Sequence, residues 1–292
     1  MVRKHYLALV VLALGLMGSA RADQGVHLAT GFTDFTAWSL YGSATAANTT
    51  PGNGFTYSDL KLTSPGVGGS GGAGFAPDAI TLDFNQAFAF DFHFFIPAGT
   101  VLRGDGLTFT LASAPGLGGA GSGLGYSGLQ DSVAFAVDTF HFSGDPVSPS
   151  IQILQNGSVA PLAATETGLG DGIRDLTFQF RATVAYSPSG NNDETGTLTG
   201  SILHANLGTF SVTAPVNLSG LGAAVLDPNT SELMGHTVFY GFTASNGLAD
   251  DGHFITSAVP VPEPSTYAML MAGMAMLCFV ARRRLQRSRR PD

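Results

Sequence analysis

The sequence predicts an all-β protein, an antiparallel sandwich, on three observations. Apolar residues alternate with polar or small ones in one run after another through the middle of the chain. These runs are short and are separated by clusters of Gly, Pro, Asn, Asp and Ser, and no stretch between them sustains a helical period. Period two sends successive side chains to opposite faces of a strand, and its persistence points to sheets packed face to face.

Taken in order, residues 1–22 carry Arg3 and Lys4, an apolar run from Tyr6 to Met17, and Ala20-Arg21-Ala22. A basic start, an apolar centre and an A-x-A pattern predict a secretory signal peptide. Phe88, Phe90, Phe92 and Phe94 then alternate with Ala89, Asp91 and His93, which predicts a strand with one wholly apolar face. Leu107, Phe109 and Leu111 alternate with Thr108 and Thr110, and Val133, Phe135 and Val137 with Ala134, Ala136 and Asp138. Leu176, Phe178 and Phe180 predict a further strand, as do Val238, Tyr240 and Phe242. The glycine-rich stretches 66–74 and 116–125 read as loops.

The last segment has three parts: Val261-Pro262-Glu263-Pro264, an apolar stretch 266–281, and six arginines between Arg282 and Arg290. Sixteen residues at 1.5 Å rise span roughly 24 Å as a helix, barely the hydrocarbon thickness of a bilayer, and the arginines would hold its end on the cytoplasmic side. Motif, helix and basic tail together resemble the PEP-CTERM sorting signal of Gram-negative bacteria that make exopolysaccharide. The resemblance implies export, an exosortase-type processing enzyme as partner, and a place at the cell surface or in the extracellular matrix. The chain thus divides into 1–22, a domain over 23–259, and a sorting segment over 260–292.

Between Asp23 and Pro262 there remain four cations, Lys61, Arg103, Arg174 and Arg181, against nineteen acids, a net charge of −15. That balance excludes nucleic acid as a partner and opposes anionic lipid. The only cysteine, Cys278, lies in the C-terminal apolar stretch, so no disulfide braces the domain and burial must stabilise it.

Gly104 to Phe140 places an Asp-Gly at the head of a strand, then a glycine-rich loop, then a strand ending in an acid. In that order and spacing it resembles the L-type (legume-lectin-like) carbohydrate-binding domain, and Thr237 to Ser257 resembles that family's closing strand, specificity loop and final strand. The resemblance implies a concanavalin-like jelly roll and a non-catalytic binder of a glycan or exopolysaccharide. It assigns Asp105 as acceptor for sugar hydroxyls, after a cis peptide Gly104–Asp105, and the Gly119 amide as donor. Ala249 and Asp250 fall in the specificity loop, and Phe142 stands where the family has an Asn, so it could only stack on a sugar ring. Calcium would fall to Asp138, the Phe140 carbonyl and Asp145. Ala136 and Ser150 replace the family's Glu and His, so no transition metal is expected.

Competing motifs carry less. Gly116 to Gly121 satisfies G-x-G-x-x-G and Gly68 to Gly72 satisfies G-x-S-x-G, but neither has the helix those sites require. A glycoside hydrolase on this sandwich needs paired carboxylates, and the strand with Asp138 has Ala134, Ala136 and His141 at the other positions. His93 and His141 lack partners at ligand spacing, and His253 falls at a strand start. The alternative to a glycan binder is a structural or adhesive matrix protein whose lectin fold has lost sugar and metal binding.

Overall fold

The structure, a computed structural model, describes residues 25–30, 34–49, 57–100 and 102–257. The expected signal peptide, sorting motif, apolar helix and arginine tail lie outside the described residues. Among the described residues no helix is long and apolar enough to cross a membrane.

The chain runs through strands β1 (Gly25–Thr30), β2 (Ser39–Gly42), β3 (Thr45–Thr49), β4 (Tyr57–Thr63), β5 (Gly71–Phe75), β6 (Ile80–Leu82), β7 (Ala87–Phe95), β8 (Gly106–Ala112) and β9 (Ser132–Asp138). It continues through β10 (Ser150–Gln155), β11 (Ala163–Glu166), β12 (Phe180–Pro188), β13 (Thr195–His204), β14 (Gly208–Asn217), β15 (Ala223–Leu226), β16 (Leu233–Ser245) and β17 (His253–Thr256). Two 3-10 turns, Gly121–Gly123 and Gly170–Arg174, are the helical pieces among the described residues.

One sheet has the order β14-β13-β12-β7-β17-β4-β3, the other β11-β10-β9-β8-β16-β5-β2, with β6 and β15 on β16. The pairings are antiparallel except that β1 lies parallel to β7. β1 reaches that sheet from a distant part of the chain and not through a hairpin, so no tight turn imposes the antiparallel direction.

The phenylalanine alternation becomes the centre of the sandwich. β7 turns Phe88, Phe90, Phe92 and Phe94 inward, all buried. Phe90 meets Phe109 of β8 at 4.8 Å between ring centroids, Phe92 meets Phe242 of β16 edge-on at 4.9 Å, and Phe94 stacks on Phe180 of β12 at 5.2 Å. β8 and β9 are buried on their other face as well. There the glycine-rich segment after β8 folds back, setting Leu124 and Tyr126 against Ala134, Ala136 and Leu154. Thr108, Thr110 and Thr243 beneath it join hydroxyls at 2.7 and 2.8 Å, and Thr243 donates to the Leu124 carbonyl at 2.8 Å. Buried hydroxyls cost little when each finds a partner.

Two expectations fail. The alternation at 176–181 does not make a strand: Leu176 and Phe178 are exposed, and β12 begins only at Phe180. Asp175 accepts from the Thr177 amide at 2.8 Å, a local turn that competes with the ladder. The glycines of 66–74 are only partly a loop, since Gly71–Phe75 is β5. A Cβ on Gly72 would collide with the Leu62 carbonyl, so the glycine reflects close backbone approach within the sheet stack.

Truncating a ring at the centre should therefore be costly. Phe109→Ala is expected to lower unfolding stability by about 3–5 kcal/mol, read as a shift in denaturant midpoint with an unchanged slope.

Candidate functional site

Asp105 directly precedes β8, at the end of the sandwich where β8, β9 and β16 meet. Its main-chain carbonyl accepts from the Thr139 amide at 2.9 Å, and the Thr139 hydroxyl donates to the Gly104 carbonyl. The carboxylate is only 5% exposed, and Oδ2 accepts the amide of Gly247, just after β16. Burial raises the Asp105 pKa, opposed by the Gly247 N–H.

The glycine-rich loop arrives at the same point through its tip. A Cβ on Gly247 would lie 3.1 Å from Asp105 Oδ2 and 3.4 Å from the Gly121 Cα. Ser245 holds the tip by donating to the Gly121 carbonyl at 2.7 Å. Gly119, the amide expected to serve as donor, instead bonds the Ser127 carbonyl at 2.8 Å, so its N–H is taken up in closing the loop. The residues that reach Asp105 are Gly121 and Gly247.

The loop 246–252 differs from expectation in the same way. Ala249 is buried, and Asp250 spends its Oδ1 on the Thr100 amide at 2.6 Å and its carbonyl on the Gly66 amide at 2.8 Å. Asp250 thus pins the loops at Thr100 and Gly66. The outward residue is Leu248, 94% exposed. Asp251 is fully buried and accepts the Gly99 and Gly104 amides at 3.0 and 2.8 Å and Arg174 in a two-point ion pair. The peptide Gly104–Asp105 is not cis; the cis bond among the described residues is Ser148–Pro149.

Asp138 ends β9 and pairs with Gly106 on one side and Ser150 on the other. Its Oδ1 accepts from the Phe140 amide at 3.1 Å and the Ser148 hydroxyl at 3.2 Å, and its Oδ2 accepts from the Gln152 amide group at 2.9 Å. Gln152 is the register partner of Ala136 and also donates to the Ser150 hydroxyl at 2.9 Å. Where a cation centre gathers lone pairs, this carboxyl gathers N–H and O–H donors. Burial above all, with the nearby charge of Asp145, pushes its pKa up to about 7. Asp145 sits in an exposed turn, its Oδ2 accepting the Phe142 amide at 3.2 Å. Among the described residues no three His, Cys, Asp or Glu form a metal-binding group. A calcium ion takes six to eight oxygens, and at Asp138 it would compete with the Ser148 and Gln152 donors.

Phe142 is 57% exposed at that turn, free to present its ring. His253 begins β17, wholly buried with Nδ1 2.7 Å from the Thr63 hydroxyl, and burial lowers its pKa to about 4. His93 lies partly buried on β7, and His141 is at the surface. Clefts along 189–197 with 215–217, and along 131–132, 155–156 and 217–221, include none of the Asp105 group.

Residues 260–284 match the PEP-CTERM protein-sorting motif. A search of curated proteins finds no match. Among solved structures, the chain is similar to basic winged bean lectin with Tn-antigen, at 22% identity over 78% of this chain and 94% of that one, TM-score 0.58. A Bauhinia forficata lectin in complex with GalNAc matches at 19% identity over 79% and 95%, TM-score 0.60. The VIP36 exoplasmic/lumenal domain in a Ca2+/Man3GlcNAc-bound form matches at 18% over 76% and 81%, TM-score 0.52. The fold is that of the legume lectins, a jelly-roll sandwich, and the chain carries a sorting motif behind it.

The state of Asp138 gives a pH dependence. Its folded pKa of about 7 exceeds the ordinary value of 3.8, so between these the folded chain holds a proton that the unfolded chain releases. This group's contribution therefore falls as pH rises from about 4 to 7, by roughly 4 kcal/mol at most. His253 acts in the opposite direction between about 4 and 6.5. In chelator, Asp138→Asn should gain stability relative to wild type as pH rises from 5 to 8. Parallel unfolding midpoints across that range would contradict it.

Proposed function

We propose that this protein is an exported, non-catalytic glycan-binding protein, displayed at the cell surface or in an exopolysaccharide matrix. The observation that carries the reading is the meeting of a carboxylate and two glycine backbones at one end of a lectin sandwich. Asp105 has given Oδ2 to Gly247, which leaves Oδ1 for a sugar hydroxyl. Glycine at 121 and 247 lets a ring approach the main chain at the loop tip. Leu248 and Phe142 supply exposed apolar surface for the faces of pyranose rings. The bound glycans named for the Bauhinia forficata lectin and the VIP36 domain support this substrate class by likeness of fold.

The site is a shallow one, so single-sugar affinity is weak and retention on a polysaccharide comes from many copies acting together. Calcium has no step in this reading. An ion at Asp138, the Phe140 carbonyl and Asp145 would have to displace the Ser148 and Gln152 donors. The likeness to lectins, and a strand with Asp138 that has Ala134, Ala136 and His141 at the other positions, argue against hydrolysis of the bound glycan.

On a glycan array, Asp105→Ala is expected to weaken binding by tenfold or more, the worth of a lost hydrogen bond to a charged group. The variant's unfolding midpoint must stay near wild type for the comparison to count. Unchanged binding would favour a structural or adhesive role for the fold instead.

Processing provides a separate test. The division into 1–22, 23–259 and 260–292 implies removal of the first segment after Ala22 and cleavage by an exosortase-type enzyme near Pro262 to Pro264. Mass spectrometry of the exported protein should find neither Met1 nor the arginines 282–290; intact arginines would contradict the C-terminal half.

A further inference from the structure

We propose that the buried pair Arg174–Asp251 is the positioning element of the Asp105 site, supplying from the chain itself the cation that organises its loops. What the site binds rests on the reading above; how it is held does not.

Asp251 is the point at which separate segments join. Its side chain is fully buried, and its two oxygens take two backbone amides and one guanidinium, from three places. Gly99 N–H reaches Oδ1 at 3.0 Å and Gly104 N–H reaches Oδ2 at 2.8 Å. Arg174 closes a fork on both oxygens, Nε on Oδ2 at 2.9 Å and Nη2 on Oδ1 at 2.8 Å, with its own side chain 9% exposed. The Asp251 carbonyl accepts from the Thr63 hydroxyl at 2.9 Å and the Asn246 amide group at 2.8 Å. Asn246 precedes Gly247, whose N–H holds the Asp105 carboxylate, and Gly104 precedes Asp105 itself. Both arms that define the Asp105 carboxylate thus end on one buried acid. Gly104 is required for this: a Cβ there would lie 2.8 Å from the Asp251 Cβ and backbone N.

The positive charge is the scarce component. Of four cations between residues 23 and 262, two stand here. Arg103 donates Nε to the Thr139 carbonyl at 3.1 Å and Nη1 to Asp171 at 3.0 Å. Asp171 also lies 3.8 Å from Arg174 Nη1, so both arginines fasten the turn Gly170–Arg174 beneath the site. Burying Asp251 is offset by a partner of opposite charge on the same oxygens that accept the Gly99 and Gly104 amides. Among the described residues no cation is paired with Asp138, and the carboxyl there takes neutral donors instead. The organising charge stands under Gly104, contributed by an arginine.

The test reads the loops directly, by hydrogen exchange of peptides covering 97–106 and 244–252 in the purified protein, with β13 and β14 as an internal reference. In wild type, exchange in these peptides should change less than twofold between calcium and EDTA. Arg174→Gln should raise it tenfold or more while β13 and β14 stay unchanged, and Arg174→Lys, which keeps the charge but not the fork, should fall between. A tenfold rise in wild type on adding EDTA would overturn the proposal, as would unchanged loops in Arg174→Gln. If Arg174→Gln does not fold, the wild-type EDTA arm and Arg174→Lys decide: an EDTA-sensitive loop, or a lysine variant indistinguishable from wild type, overturns it. None of these readouts contains a glycan. Should Asp105→Ala leave array binding intact while Arg174→Gln loosens the loops, the binding reading fails and the clamp stands.

Discussion

The inward face of β7 is the constraint on which the other elements depend. Four phenylalanines on one strand must be covered, and with no α-helix among the described residues the cover is a second sheet. Fully burying a side chain of this size contributes about 1.5–3 kcal/mol, so the four together outweigh any single polar interaction in the domain. The opposing sheet answers with Phe109, Phe135 and Phe242, from the three strands β8, β9 and β16 that also carry the candidate site. Site and core therefore share their strands. Asp105 lies one residue before β8, Asp138 is the last residue of β9, and Gly247 follows β16 by two. Their spacing is inherited from ladders fixed by aromatic packing.

Those strands pay for their position by being buried twice. An antiparallel sheet commonly wets one face, and here the outward face of β8, β9 and β16 lies under the glycine-rich loop. Small and hydroxylated side chains make that possible. Ala134 and Ala136 leave room for Leu124 and Tyr126, and the threonines satisfy one another and the loop carbonyl. Covering the sheet delivers the loop tip to Asp105, so the low-complexity segment is as determined as a strand. Its glycines are needed for shape at close range and not for freedom.

Much of the fold was legible because period two survives wherever one face meets the core. Phe88 to Phe94, Leu107 to Leu111, Val133 to Val137 and Val238 to Phe242 all lie in strands as the alternation requires. It misled at Leu176 and Phe178, where apolar side chains alternate but the Asp175 turn takes the backbone out of the ladder. It was silent at β5, whose glycines have no side chain to alternate. Of the site, Asp105 and the loop region could be named through the lectin resemblance, because a strand head and a glycine cluster leave local marks that carry it. Gly119, Ala249 and Asp250 were named as ligand-facing, yet each is occupied within the protein. Spacing identifies a segment, while the direction of an amide depends on what the segment packs against. Arg174 left only one trace, its rarity in an acid-rich domain.

An acid-rich domain that concentrates its few cations under one loop cluster must treat neighbouring acids differently. Asp251 lies against the Arg174 guanidinium, and Asp138, held by neutral donors, is pushed toward the neutral form. Asp105 stands between these cases, buried enough for its pKa to rise yet holding one backbone donor. A carboxylate in that condition binds a hydroxyl strongly only if it remains ionised and does not move to meet the ligand. Ionisation is favoured by the Gly247 N–H, and immobility by the loops that converge on Asp251. On the proposed reading the affinity available to one such oxygen is small, and its usefulness would depend on the number of copies presented along a polymer. The sorting motif that follows the domain would then gather those copies at one surface.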